Sequence, residues 1–178
     1  MPPAFHLSPD REKAEYDRHE NTPDDPGYRR FLSRLALPLL QCLPPRASGL
    51  DFGCGPGPAL AAMLEERGCR VALYDVFYQP DANALRRQYD FITATEVVEH
   101  LHRPGEELGR LWRLLRPGGV LGLMTKRVIG QEAFLRWHYR NDPTHVAFFS
   151  EATFAWWAAG RGARLAFPGA DTALLFKP

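Results

Sequence analysis

Gly49-Leu50-Asp51-Phe52-Gly53-Cys54-Gly55-Pro56-Gly57-Pro58, residues 49–58, is the stretch on which the fold turns. Residues 49–52 have the make-up of a short buried strand. Glycines at 53, 55 and 57 follow, and Pro58 then opens an apolar helical run through Arg67 that Gly68 ends. A strand that enters a helix through such a turn exposes main-chain N–H groups at the helix N-terminus, where a negative group is favoured. By itself, a glycine turn is equally a plain connection. Asp75 tips the balance, because it ends the next predicted strand, Val71 to Tyr74, where an acid can accept both hydroxyls of a ribose. The two features together point to an adenosine-type ligand. A dinucleotide fingerprint counted from Gly53 would place Pro58 at its last glycine position, where a small residue must pack on the sheet, so a nicotinamide enzyme fits less well.

Upstream of it, residues 28–43 carry Phe31, Leu32, Leu35, Leu39 and Leu40 near helical spacing, and Pro44-Pro45 stops that helix. Downstream, Phe91 to Thr95 is a strong strand. Leu108, Leu111, Trp112 and Leu115 then recur at i, i+3, i+4 and i+7, the stripe of a core-facing helix. Pro117-Gly118-Gly119 turns the chain into a strand over Val120 to Thr125. After an irregular segment, Ser150 caps a helix through Ala159, and strand-like stretches at 164–167 and 173–176 close the chain. Short apolar strands alternating with amphipathic helices predict an α/β fold, a mostly parallel twisted sheet with helices on both faces.

At 178 residues the chain is read as one domain, with residues 1–45 an arm and helix, the arm acting as a lid, and residues 46–178 the ligand-binding body. A net charge of +1 exerts no global pull toward nucleic acid or an anionic membrane. No apolar run reaches the ~18 residues of a membrane span, and the first residues lack the apolar stretch of a signal peptide, so a cytoplasmic protein without a membrane partner is expected. Cys42, Cys54 and Cys69 show no CxxC spacing and are read as reduced thiols.

Asp51, Gly53, Gly55 and Gly57 match the D/E-x-G-x-G-x-G signature, and the chain thereby resembles the class I S-adenosylmethionine-dependent methyltransferases. Leu114-Leu-Arg-Pro-Gly-Gly119 is a second match, and the resemblance covers roughly residues 48–177. It implies a Rossmann-like sheet of seven strands with the last antiparallel. S-adenosylmethionine would lie across the ends of the first, second and fourth strands. Asp51, Gly53, Cys54, Gly55 and Gly57 would surround its methionine part and Asp75 its ribose, while Glu96, Val97 and His100 line the far side. One departure stands out: between Asp75 and Phe91 there is no room for the usual helix, strand and helix, so the family's third strand is expected to be reduced or absent.

Thr95-Glu96-Val97-Val98-Glu99-His100 forms a second constellation. If it begins a helical turn, Glu96, Glu99 and His100 share one face at i, i+3 and i+4, and two carboxylates with an imidazole suit a divalent cation. The E-x-x-E-H pattern resembles that of ubiquinone-type O-methyltransferases and of small-RNA 3′-end 2′-O-methyltransferases. In those relatives a histidine after the fifth strand completes a metal site, and His145 lies in the corresponding place; Mg, Mn or Zn would be the cation. Such an ion lowers the pKa of an acceptor hydroxyl and orients it. Two other readings stand beside this one. The acids can simply answer a helix dipole, or His100 or His145 can serve as general base without metal.

Tyr16, Asp17, His19, Asn21 and Tyr28 in the arm, with Trp137, His138, Tyr139 and Arg140 after the fifth strand, form polar and aromatic clusters that this fold usually sets over the active site. Trp137 is equally at home in a core. His138, Asp142 and His145 are also spaced like ligands, although Pro143 breaks any helix that would align them. The eight basic against three acidic residues from Arg103 to Arg140 are either solvated helix faces or an attraction for an anionic substrate. The expected reaction is O-methylation of a small-molecule hydroxyl. An RNA 2′-O-methyltransferase is the first alternative, weakened by the lack of an added RNA-binding domain. A protein that binds S-adenosylmethionine but has lost catalysis is the second. DNA is not expected, since neither an Asn/Asp-Pro-Pro-Tyr motif nor a Pro-Cys nucleophile is present.

Overall fold

The computed structural model describes residues 1–18 and 22–178. Six strands form one sheet: β1 (Ser48–Phe52), β2 (Arg70–Tyr74), β3 (Tyr89–Thr95), β4 (Leu115–Met124), β5 (Arg164–Gly169) and β6 (Thr172–Phe176), in spatial order β2-β1-β3-β4-β6-β5. β1 pairs in parallel with β2 and β3, and β3 with β4, whereas β6 runs antiparallel to β4 and β5. The family's third strand is absent, as chain length predicts: residues 75–88 contain one 3-10 turn, Ala84–Arg86, and β2 is the sheet's edge.

Side chains that alternate along each strand give the sheet two apolar faces. Leu50, Ile92, Leu121 and Leu175 point to one face, where Leu108, Leu111 and Trp112 of α4 (Pro104–Leu114) and Phe154 and Trp157 of α6 (Glu151–Ala159) cover them. Phe91, Val120, Met124 and Leu174 point to the other. There they meet Leu32, Leu35 and Leu39 of α2 (Pro26–Leu40) and Leu60 and Leu64 of α3 (Ala59–Glu65). The arm contributes α1 (Pro9–Tyr16), and the segment read as irregular holds α5 (Gln131–Leu135) and a 3-10 turn at His138–Asn141.

Asp25 caps α2, its side chain accepting from the N–H groups of Gly27 and Tyr28 at 2.6 and 3.1 Å. Ser150 caps α6 and forms a reciprocal pair with Thr153. α4 passes directly into β4 at Leu115, and Lys177 Nζ donates to the Trp112 and Leu115 carbonyls at 2.9 and 2.6 Å. That cation meets the negative end of the helix. Among the described residues, no helix is long and apolar enough to cross a membrane.

Candidate active site

Parallel strands all end at the same side of the sheet, and the C-terminal ends of β1, β2 and β3 border one cleft of about 690 Å³. The glycine loop after β1 lines it with Gly53, Cys54, Gly55 and Pro56. Gly53 and Gly55 have φ of 74° and 65°, the left-handed region in which a Cβ is costly. At Gly53 the approach is also close, because a Cβ there would lie 2.4 Å from Val97 Cγ2. The loop is anchored to β2, whose Tyr74 carbonyl accepts the Gly53 and Cys54 N–H groups at 2.7 and 3.3 Å. Gly57 does not line the cleft; its carbonyl accepts the Ala59 N–H at 2.7 Å and turns the chain into α3.

Asp75 borders the cleft at the end of β2 and is buried. One carboxylate oxygen accepts the Phe77 and Tyr78 N–H groups at 2.8 and 3.1 Å, and the other accepts Gly55 N–H at 3.0 Å. An ionised carboxylate has about four lone-pair sites, so this acid binds its own loop and keeps acceptor capacity for a ligand. Asp51 lies beneath the loop and receives a hydrogen bond from Thr93 Oγ1 at 2.8 Å. Burial, and secondarily the Asp75 charge, raise its pKa to about 6 despite that hydrogen bond.

The Glu96–His100 segment is not a helical turn. Glu96 sits at φ 51°, and a 3-10 turn over Val98–His100 follows. That kink separates Glu96 from the other two: ligand atoms of Glu99, His100 and His145 lie within 4.8 Å of one another, and Glu96 is outside the group. Convergence depends on main-chain bonds to a distant loop, since the Glu99 carbonyl accepts the N–H groups of Val146 and Ala147 at 2.8 and 2.9 Å. The imidazole rings of His100 and His145 are 4.7 Å apart. His145 Nδ1 is 2.6 Å from the Tyr139 carbonyl and His100 Nδ1 is 3.2 Å from that of Thr144. Carbonyls only accept, so both rings carry their proton on Nδ1 and present a lone pair on Nε2 when neutral. Burial lowers the pKa of His145 and favours its neutral form. The carboxyls of Glu96 and Glu99 are pushed upward, by burial first. Glu96 Oε1 and Glu99 Oε2 are buried without a hydrogen-bond partner among the described residues, and such atoms need a donor or a cation. Glu99, His100 and His145 together form a donor set of two imidazoles and a carboxylate that fits a divalent metal.

The arm covers this site. Tyr16 of α1 meets the His100 ring edge-on at 5.2 Å and Phe77 at 5.8 Å. Tyr78 donates to Asp17 at 2.6 Å, and Glu12, itself buried, pairs with His102 at 3.2 Å. Tyr28 of α2 lines the cleft, its pKa pushed up to about 12 by burial and then by the nearby Asp51 and Glu96 charges. His19 and Asn21, expected in the same cluster, lie outside the described residues. Of the second cluster, Tyr139 is buried and lines the cleft, whereas His138 and Arg140 are exposed. Trp137 packs on Tyr139, Phe134 and Phe148 in an aromatic group beside the site. Asp142 approaches His145 Nε2 at 3.9 Å, and His138 instead faces Lys126 at 3.3 Å. Sequence reading had no means of finding the Tyr139 hydroxyl's bond to Glu99 or the Thr93 bond to Asp51, because both join residues about forty positions apart.

Residues 19–166 match the family described as a methyltransferase domain. The chain is 25% identical over 124 residues to a ubiquinone biosynthesis O-methyltransferase from Serratia proteamaculans (strain 568), covering 65% of this chain and 52% of that protein. It is 31% identical over 169 residues to a trans-aconitate 2-methyltransferase from Azoarcus sp. (strain BH72), covering 82% of this chain and 62% of that one. The chain spans about half the length of the curated relatives it matches. In three dimensions it is similar to the Burkholderia thailandensis 1,6-didemethyltoxoflavin-N1-methyltransferase with bound 1,6-didemethyltoxoflavin and S-adenosylhomocysteine. That likeness has a TM-score of 0.61 at 18% identity and covers 96% of this chain and 89% of the other. With the family match extending over most of its length and a Rossmann-like sheet to carry it, this chain belongs to the class I S-adenosylmethionine-dependent methyltransferase family.

Proposed function

We propose that this chain transfers the methyl group of S-adenosylmethionine to a hydroxyl of a small molecule held beside a divalent cation. The observation that carries this reading is the meeting of Glu99, His100 and His145 at the edge of the cleft that the glycine loop borders: the two histidines line it, and Glu99 is buried next to them. In this cleft, Gly53, Cys54 and Gly55 allow close backbone approach to the donor's methionine part, Asp75 accepts from the ribose, and Glu96 and Val97 form the opposite wall. Glu99, His100 and His145 hold the cation. A bound Mg, Mn or Zn ion would lower the pKa of the acceptor hydroxyl and fix its direction for in-line attack on the sulfonium methyl. Closure of α1 and the Tyr16 ring over His100 keeps bulk water from that reaction centre. The relatives named ubiquinone biosynthesis O-methyltransferases support an oxygen acceptor on a small molecule. If no metal binds, His100 or His145 would take the hydroxyl proton instead.

Two measurements separate the parts of this proposal. S-adenosylhomocysteine titrated by calorimetry should bind the native chain, and Asp75→Ala should weaken it at least tenfold; an unchanged affinity would take Asp75 out of the ribose site. A labelled-methyl transfer assay on cell extract divided into RNA and small-molecule fractions should place the label in the small molecules, with loss of signal in Glu99→Ala and His145→Ala. Label confined to RNA would replace the acceptor class, and no transfer to either fraction would favour a cofactor-binding protein without catalysis.

A further inference from the structure

One residue touches the metal-ligand cluster with both its side chain and its main chain. Tyr139 lies in the 3-10 turn His138–Asn141, and its hydroxyl donates to Glu99 Oε1. Thr125 Oγ1 stands 3.3 Å from the same phenol oxygen and Glu96 Oε2 stands 3.4 Å away. A phenol has one proton to give, and here it goes to Glu99 Oε1. With Oε1 held in this way, Glu99 Oε2 is the atom left for a cation. From the same residue, the main-chain carbonyl receives His145 Nδ1–H at 2.6 Å and leaves Nε2 as the ligand nitrogen. The Tyr139 ring packs against the His145 ring, centroids 4.0 Å apart, and is itself backed by Trp137 at 4.9 Å.

We infer that Tyr139 is the positioning residue of this cluster: by its hydroxyl it selects the free oxygen of Glu99, and by its carbonyl and ring it sets the tautomer and tilt of His145. The inference rests on the cation reading above. Groups that orient metal ligands change metal affinity by about 10- to 100-fold when removed. Tyr139 does not itself touch substrate or ion in this account. The 3-10 turn matters because it aims a carbonyl at a histidine six residues later.

The test titrates Mn²⁺ and Zn²⁺ by calorimetry into native chain and Tyr139→Phe, each saturated with S-adenosylhomocysteine, and separately measures affinity for S-adenosylhomocysteine. Tyr139→Phe keeps the ring and the carbonyl and loses only the proton donor. Its metal affinity should fall about 10- to 100-fold, while affinity for S-adenosylhomocysteine, set by the glycine loop and Asp75, stays within about twofold of native. Equal metal affinity in the two proteins overturns the role of Tyr139 and leaves the cation reading intact. Metal and cofactor affinities that fall together show a general packing role and overturn it as well. A native chain that takes up neither metal overturns the cation reading and this inference with it. Nitrogen-15 NMR of His145 in the native chain gives a readout that needs no substitution: Nδ1–H is expected, and an Nε2–H tautomer overturns the assignment.

Discussion

Gly53 and Gly55 share a left-handed backbone and differ in what surrounds them, which makes them a controlled pair. A methyl group on Gly55 meets nothing within 4 Å, so Gly55→Ala carries only the backbone term of about 1–2 kcal/mol. On Gly53 the same methyl group runs into Val97, adding an overpacking cost of about 1–3 kcal/mol. Gly53→Ala is therefore expected to melt several degrees below Gly55→Ala, by thermal unfolding without ligand. Equal melting temperatures would mean that the close approach to Val97 is relaxed at little cost. Beneath this loop, Asp51 has its pKa raised from 3.8 to about 6, so the fold prefers the neutral form. Stability contributed by such a group is complete below the unfolded value and is lost as pH rises through the folded one. An amide in place of this carboxyl does not ionise, so it carries no such loss, and its oxygen would still accept from Thr93. The melting temperature of Asp51→Asn should thus rise relative to native between about pH 4 and pH 6 and hold a constant lead above that, on the order of 3 kcal/mol at most. A lead that is flat with pH, or that shrinks as pH rises, would show that Asp51 ionises freely in the native state.

Local pattern was enough for the elements whose packing is local. Of the apolar stripe, Leu108, Leu111 and Trp112 became the buried face of α4 and Leu115 the buried first residue of β4, and the strand-glycine-helix stretch formed β1, its loop and α3. The lost edge strand was also legible, because residues 75–88 are too few for a helix, a strand and a helix. Glu96 to His100 marks where local pattern ran out. A helical turn was expected to align Glu96, Glu99 and His100; instead the backbone reverses at Glu96 and the alignment comes from the loop carrying His145, bonded to the Glu99 carbonyl. Spacing within five residues cannot encode a main-chain bond to a segment more than forty residues away. The same limit applies to Tyr139, read as part of an acceptor cluster and found bonded to a buried carboxylate. α5 was missed for a different reason: none of its residues is buried, so it leaves no apolar stripe in the sequence.

The molecule divides its sheet into an apolar body and a polar rim, and stability differs accordingly between the two. Both faces of β1, β3 and β4 are sealed by helices, whereas α1 buries only Glu12 and is held across the cleft by a few polar and ring contacts. Those contacts, Tyr78 to Asp17, Glu12 to His102 and Tyr16 on His100, are individually weak and partly exposed. An element with so little buried apolar surface opens at a small fraction of the global unfolding energy. Its partners include Phe77 and Tyr78, which follow Asp75 and whose N–H groups bond that acid. A ligand that orders Asp75 and its turn therefore also orders the surface on which α1 rests. Amide hydrogen exchange read by mass spectrometry should show α1 exchanging far faster than β1, β3 and β4 in the free chain. With S-adenosylhomocysteine added, exchange should slow in residues 75–78 and in α1 together. Slowing at residues 75–78 with no change in α1 would separate the arm from the cofactor site. Protection of α1 as strong as that of the sheet in the free chain would mean that the cover is a fixed part of the body and does not open to admit the donor.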